Sequence, residues 1–195
     1  MPFAAPPPFA ATVSRVTAAE LPYSYRPGCP VPPAQLRRVR VRTWGFDGRV
    51  HSGELVVNRR VVDDVVSVFR RLYGARFPIR RMRPIDAYRG SDAASLAADN
   101  TAAFNCRYAI AAGPKRWSAH AYGEAIDVDP VENPYVEGRI VRPRAGAAFL
   151  DRANVRPGMA VRGGTLVEAF RAVGWHWGGR WTASPDYQHF SATGG

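Results

Sequence analysis

The sequence predicts an α+β fold, and three observations carry the prediction. Strand-like alternation and helix-like spacing both occur, without the strict strand–helix–strand succession of a parallel sheet. The chain has 195 residues, an ordinary size for one domain, and 46% of them are hydrophobic, enough for a core. No stretch approaches the roughly 20 apolar residues of a membrane helix, so no membrane span is expected.

The elements follow in order. Residues 1–33 are proline-rich and read as an extended, poorly ordered N-terminal arm. The opening MPFAAPPPFAA has neither the basic nor the apolar region of a signal peptide. Residues 34–195 form the folded domain. Across 36–46, Val39, Val41 and Thr43 alternate with Arg38, Arg40 and Arg42, the signature of a half-exposed strand. Asp47 and Gly48 supply a turn, residues 54–57 return, and 38–57 is a hairpin. Asn58 is placed to cap a helix in which Val61, Val62, Val65, Val66, Phe69 and Tyr73 keep helical spacing, and Gly74 ends it. Residues 77–82 read as a short strand, 91–104 as a short helix or ordered loop, and 105–110 and 125–129 as strands. Residues 130–163, with Pro130, Pro134, Pro143 and Pro157, read as an irregular excursion. Thr165 and Glu168 form a capping box, opening a helix that buries Leu166, Val167, Phe170 and Val173 and closes at Gly174. GWHWGGRW and DYQHF complete the chain as two strands around a turn.

The formal charge is +11, almost all of it arginine; Lys115 is the only lysine. Such a bias fits either arginine-rich coding or attraction to a polyanion, whether nucleic acid or an anionic cell wall. The densest runs are Arg37, Arg38, Arg40, Arg42 and Arg80, Arg81, Arg83. Neither is interleaved with aromatics like a nucleic-acid module, so no nucleic-acid partner is expected. Cys29 and Cys106 are too far apart for a CxxC site. In an exported protein they most simply make one disulfide; two buried free thiols are the alternative.

Residues 118–129 read SAHAYGEAIDVD and residues 184–190 read SPDYQHF. If 125–129 is a strand, Ile126 and Val128 face the core while Asp127 and Asp129 face a cleft. Alternation alone does not separate these two carboxylates. Gly123 allows a sharp turn that returns His120 towards Asp127. His189 would join them from a neighbouring strand. Two imidazoles and a carboxylate fill three positions of a tetrahedral zinc, and zinc lowers the pKa of water in the fourth to about 7. Asp186, close to His189, is then the expected general base. Taken singly, each residue also has an ordinary reading: a loop histidine, a turn carboxylate, a core histidine.

SAHAYGEAIDVDP and GWHWGGRWTASPDYQHF together resemble the M15 metallopeptidases, the zinc D-alanyl-D-alanine carboxypeptidase and L-alanyl-D-glutamate endopeptidase family. The pattern S-x-H-x-x-G-x-A-x-D is matched by Ser118, His120, Gly123, Ala125 and Asp127, and the later E/D-x-x-H by Asp186 and His189. GCP around Cys29, WGFDG at 44–48, NTAAFNCR at 100–107 and NPY at 133–135 extend the resemblance from about residue 25. It implies a Zn2+ cofactor held by His120, Asp127 and His189, with Asp186 as catalytic base. It implies a Hedgehog/DD-peptidase-like small antiparallel sheet flanked by helices, with 34–195 as the zinc peptidase domain. The implied activity is that of a D-alanyl-D-alanine carboxypeptidase acting on a peptidoglycan stem peptide. The alternatives are an L-alanyl-D-glutamate endopeptidase and a non-catalytic cell-wall-binding domain. A monomer, extracellular or cell-wall associated, is expected.

The family also uses an arginine ahead of the first histidine, for the oxyanion or for substrate. Arg89 in DAYRG is the positional match and Arg107 in FNCR the other candidate. Arg107, Ser118 and Trp177 are the expected substrate-binding residues. Trp175 and Trp181 stand with Trp177 as either substrate wall or core packing. Asp129 and Ser118 answer to a role orienting a ligand. His176 reads as an exposed strand histidine, and His51 as solvent-facing.

Overall fold

The alternating valines and arginines build the first sheet of the computed structural model, which describes residues 5–110 and 114–194. Strands β1 (Ala11–Arg15), β2 (Leu36–Trp44) and β3 (Val50–Asn58) pair antiparallel in that order. Val39 and Val41 are buried, while Arg38 and Arg40 on the outer face pair with Glu54. The turn between β2 and β3 uses Gly48 at φ +70°, with Asp47 accepting from the Arg49 N–H. The arm, expected to be poorly ordered, instead supplies the edge strand β1, with Val13 opposite Val39. Its first four residues lie outside the described residues.

The arm is also held covalently. Cys29 and Cys106 form a disulfide with their Cα atoms 5.8 Å apart. Val16, Leu21, Val31, Leu36, Val56 and Phe104 pack around Cys106 as a second apolar cluster. The backbone N–H of Cys106 donates to Ser24, so the arm runs along the segment leading to His120.

Asn58 accepts from the Arg60 N–H and caps the 3-10 turn that leads into α1 (Val62–Gly74). Val65, Val68, Phe69 and Leu72 recur at helical spacing and are buried. Asp63 and Asp64 occupy the first turn, where the helix dipole favours negative charge. After α1, residues 77–82 make only isolated bridges, Trp44 with Pro78 and Met82 with Thr101. Pro78 has no N–H to extend a ladder. A short helix, α2 (Asp92–Ala97), follows. Residues 105–110 are not a strand either, because their backbone groups are used elsewhere. Asn105 donates to His120 and Cys106 to Ser24.

Strand β4 (Ala125–Asp127) is shorter than expected. The chain leaves it at Asp129, at φ +42° and fully buried. Asp129 accepts from the Arg80 N–H at 2.9 Å and from the Thr101 hydroxyl, so it does not share a cleft with Asp127. Residues 130–163 contain a hairpin of β5 (Tyr135–Glu137) and β6 (Ile140–Arg142). Buried Asn133 organises this excursion. Its amide donates to Val128 and Gly158, and its carbonyl accepts from Ala160 and Arg152. Helix α3 (Thr165–Arg171) has Gly164, not Thr165, at its N-cap, and Glu168 pairs with Arg171 instead of closing a capping box.

Two short strands, β7 (His176–Trp177) and β8 (His189–Ser191), join β4 in a second antiparallel sheet of order β4-β8-β7. Ile126 and Phe190 are fully buried, and Phe190 stacks on Phe170 of α3 with ring centroids 4.1 Å apart. Each such side chain contributes about 2–3 kcal/mol by burial. The architecture is α+β, small antiparallel sheets with flanking helices. Among the described residues no helix is long and apolar enough to cross a membrane.

Two predictions follow from this packing. Replacing both Cys29 and Cys106 by Ser should lower stability by about 4 kcal/mol in chemical denaturation, the chain-entropy value for a long loop. An unchanged midpoint would mean that the disulfide does not constrain the unfolded chain. Around Arg80, Asp99 and Glu132 sit within ion-pair distance, and buried Asp129 adds a third carboxylate. Burial, and then the neighbouring Asp99, push Glu132 up to about 7 from 4.5. A carboxyl raised on folding favours the native state fully below pH 4.5, and that contribution is lost as pH rises through 7. The unfolding free energy should therefore fall across this window, and Glu132→Gln should flatten the fall. A variant with the wild-type slope would contradict the assignment.

Candidate metal centre

Asp127 and His189 meet because they are paired residues of one ladder. In the β4–β8 register, Ala125 lies opposite Ser191, Ile126 opposite Phe190 and Asp127 opposite His189. Directly opposed side chains emerge on the same face. With Ile126 and Phe190 turned into the core, Asp127 and His189 must project from the other side.

His120 arrives from a 3-10 turn spanning Ala119–Tyr122. Ser118 begins this turn, its Oγ accepting from the His120 N–H. Gly123 ends it at φ +68°, where a Cβ would lie 2.7 Å from the Asn58 nitrogen. Asn58 reciprocates, donating its backbone N–H to Gly123 and its side-chain amide to Tyr122. The end of β3 therefore holds the turn from below. His120 Nδ1 lies 2.7 Å from the Ala103 carbonyl. It donates there, so Nε2 keeps its lone pair.

Three donor atoms converge. His120 Nε2 is 3.2 Å from Asp127 Oδ1, His189 Nδ1 is 3.1 Å from the same oxygen, and the two ring nitrogens are 3.3 Å apart. A tetrahedral zinc with N and O ligands at 2.0–2.1 Å needs its donor atoms about 3.3–3.4 Å from one another. The triangle fits. Its electrostatics agree: burial opposes the Asp127 charge, yet the two histidines hold this carboxyl far below the usual range. Burial likewise opposes charge on His120, but Asp127 outweighs it and raises the imidazole. The site is thus a buried carboxylate between two imidazoles, a donor set that could hold a metal ion.

Asp186 sits beside this triangle. Gly178 makes the approach possible, since a Cβ there would lie 2.8 Å from the Asp186 carbonyl oxygen and 3.2 Å from His189 Cβ. One carboxylate oxygen of Asp186 has no hydrogen-bond partner among the described residues. Burial, and then the Asp127 charge, raise this carboxyl to about 6. His120, Asp127, Asp186 and His189 line one cavity of about 330 Å3.

The other expected residues divide. Arg107 lines the cavity, ion-paired to Asp92, and Ser118 lines it beneath His120. Arg89 does not line it; Arg89 ends a 3-10 turn at φ +53°, exposed. Trp177 is also off the wall, its indole N–H donating to Tyr187 and its ring packed near Phe190. The tryptophans on the wall are Trp181, 5.4 Å from the His189 ring, and Trp117, stacked on Tyr108. Trp175 is buried against Phe170, and His176 and His51 are exposed. Asp129 orients no ligand histidine; the Ala103 carbonyl does that for His120. Residues not singled out by the sequence also face the cavity: Gln188, whose side-chain oxygen is buried without a partner among the described residues, and Tyr135 and Arg142 of the β5–β6 hairpin. Alternation in DYQHF would have put Gln188 on the Phe190 face, away from His189, so no local signal pointed to it. For the hairpin, NPY at 133–135 reached Tyr135 without assigning it a role, and nothing marked Arg142.

Residues 112–192 match the family model described as D-alanyl-D-alanine carboxypeptidase. This stretch holds His120, Asp127, Asp186 and His189, but neither Arg89 nor Arg107. No curated protein and no solved structure matches the chain.

Proposed function

Residues 112–192 belong to the M15 peptidase family, and on that premise we propose that the chain is a zinc-dependent peptidase that hydrolyses an amide bond in peptidoglycan stem peptides, as a D-alanyl-D-alanine carboxypeptidase. The observation that carries the reading is the triangle of His120 Nε2, Asp127 Oδ1 and His189 Nδ1, with edges of 3.1–3.3 Å, beside a buried carboxyl. The fold would be the one shared by this family and the Hedgehog domain.

His120, Asp127 and His189 would hold the ion. Bound zinc supplies Lewis acidity, polarising the scissile carbonyl and lowering the pKa of water. Asp186 takes the proton of the attacking water and returns it to the leaving amine nitrogen. Its pKa of about 6 suits both transfers near neutral pH. Arg107, on the cavity wall and close enough to oppose charge on His120, is the better placed arginine for the developing oxyanion. Losing such a donor costs about 3–4 kcal/mol in the barrier. Trp181 offers an apolar wall beside His189. The Cys29–Cys106 disulfide supports an extracellular or wall-associated location, where such bonds persist.

Purified peptidoglycan digested with the protein, followed by mass spectrometry of the products, tests the reading. Loss of a single terminal alanine is expected, with Asp186→Ala slower by about 10²–10⁴-fold. A cut after the first L-Ala would instead identify an L-alanyl-D-glutamate endopeptidase. If the wild type releases nothing that Asp186→Ala does not, the peptidase reading is wrong.

A further inference from the structure

The β5–β6 hairpin is tied to the segment that carries Asp186. Val136 donates its N–H to Pro185, Tyr187 donates to Pro134, and Tyr135 is paired antiparallel with Asp186. Across the hairpin, Tyr135 is paired with Arg142. Asp186, Tyr135 and Arg142 therefore form one row across three adjacent chain segments. Residues in such a row project on the same face, and all three line the cavity. Neighbouring strands lie about 4.8 Å apart, so Arg142 starts roughly 10 Å from Asp186 along this row.

The charges at this end of the cavity are uneven. Arg107, paired with Asp92, acts on His120 at the metal-site end of the cavity. Arg142 is exposed, and its side chain has no ion pair or hydrogen bond among the described residues. A cationic side chain on the cavity wall, fixed in register with the buried carboxyl but otherwise unused, has an anion as its natural ligand. A peptide can be laid along the row with its scissile bond at Asp186 and its leaving residue towards Arg142. When one residue follows the scissile bond, its free carboxylate falls within about 4 Å of that bond, one Cα–Cα step. The rest of the distance is within the length of an arginine side chain. A guanidinium also matches a carboxylate with two parallel hydrogen bonds.

We propose that Arg142 is the specificity residue that reads the free C-terminal carboxylate of the substrate, positioned by the Asp186–Tyr135–Arg142 row. This rests on the peptidase reading and deepens it: Arg142 selects for release of one terminal residue over cleavage within a longer chain. The residue acts on binding, so its effect belongs in KM.

The test uses acetyl-Lys-D-Ala-D-Ala and its C-terminal amide as paired substrates for the whole chain loaded with Zn2+. The wild type should favour the free acid at least tenfold in kcat/KM. Arg142→Gln should bring the two substrates together, chiefly by raising KM for the acid, and Arg142→Lys should recover part of the preference. Arg142 is exposed, and an unchanged melting temperature and zinc content check that the variants remain folded. The proposal is overturned if Arg142→Gln keeps the preference, if the wild type has none, or if Arg116→Gln, a second arginine on the cavity wall, removes it instead. If the wild type cleaves neither peptide, the D-alanyl-D-alanine carboxypeptidase reading fails. Calorimetry then tests Arg142 alone, with weaker binding of the acid but not of the amide expected from Arg142→Gln, and equal weakening of both counting against it.

Discussion

The pairing of Asp127 with His189 across β4 and β8 is the constraint from which the site is built. A ladder has only two faces. Once Ile126 and Phe190 are committed to the core, the side chains between and beside them have one direction left. A slip of one residue would bury Asp127 and expose Phe190, so the apolar packing against Phe170 enforces the geometry of the polar site. Stability and site geometry are in this sense one property of the strand pair.

Around that pair, the chain uses irregular segments held by specific polar contacts. The turn bearing His120 rests on Asn58 through Gly123. The loop bearing Asp186 comes close because Gly178 has no side chain. The long excursion after β4 closes on Asn133. The disulfide ties the arm to Cys106, next to Arg107 on the cavity wall. Each device fixes a segment with too few residues in regular structure to fix itself. The cost is a set of buried carboxylates: Asp127 balanced by imidazoles, Asp186 raised towards neutrality, and Asp129 and Glu132 gathered about Arg80.

What was legible in the sequence follows from the range of the forces involved. The β2–β3 hairpin, α1 and α3 announce themselves through local periodicity, and His120, Asp127, Asp186 and His189 through compact motifs. Those four residues do lie on one cavity. The capping box at Thr165 misled because Glu168 has a competing partner in Arg171. The strand expected at 105–110 failed because its backbone groups bond to the arm and to the His120 turn, contacts distant in sequence. Arg89 matched by position and Trp177 stood in the tryptophan cluster near His189, yet tertiary packing turns the cavity wall over to Arg107 and Trp181. The role of Asn133 and the alignment of Arg142 with Asp186 depend on how residues 130–163 fold back, which no local pattern encodes.

The proposed peptidase depends on His120, Asp127 and His189 acting as one metal site. Zinc content after saturation and exhaustive dialysis tests this most directly, measured per chain by elemental analysis on the wild type and on Asp127→Ala. One zinc per wild-type chain and almost none in the variant are expected, with the fold retained by circular dichroism. An Asp127→Ala protein that keeps its full zinc, or a folded wild type that holds none, would contradict this.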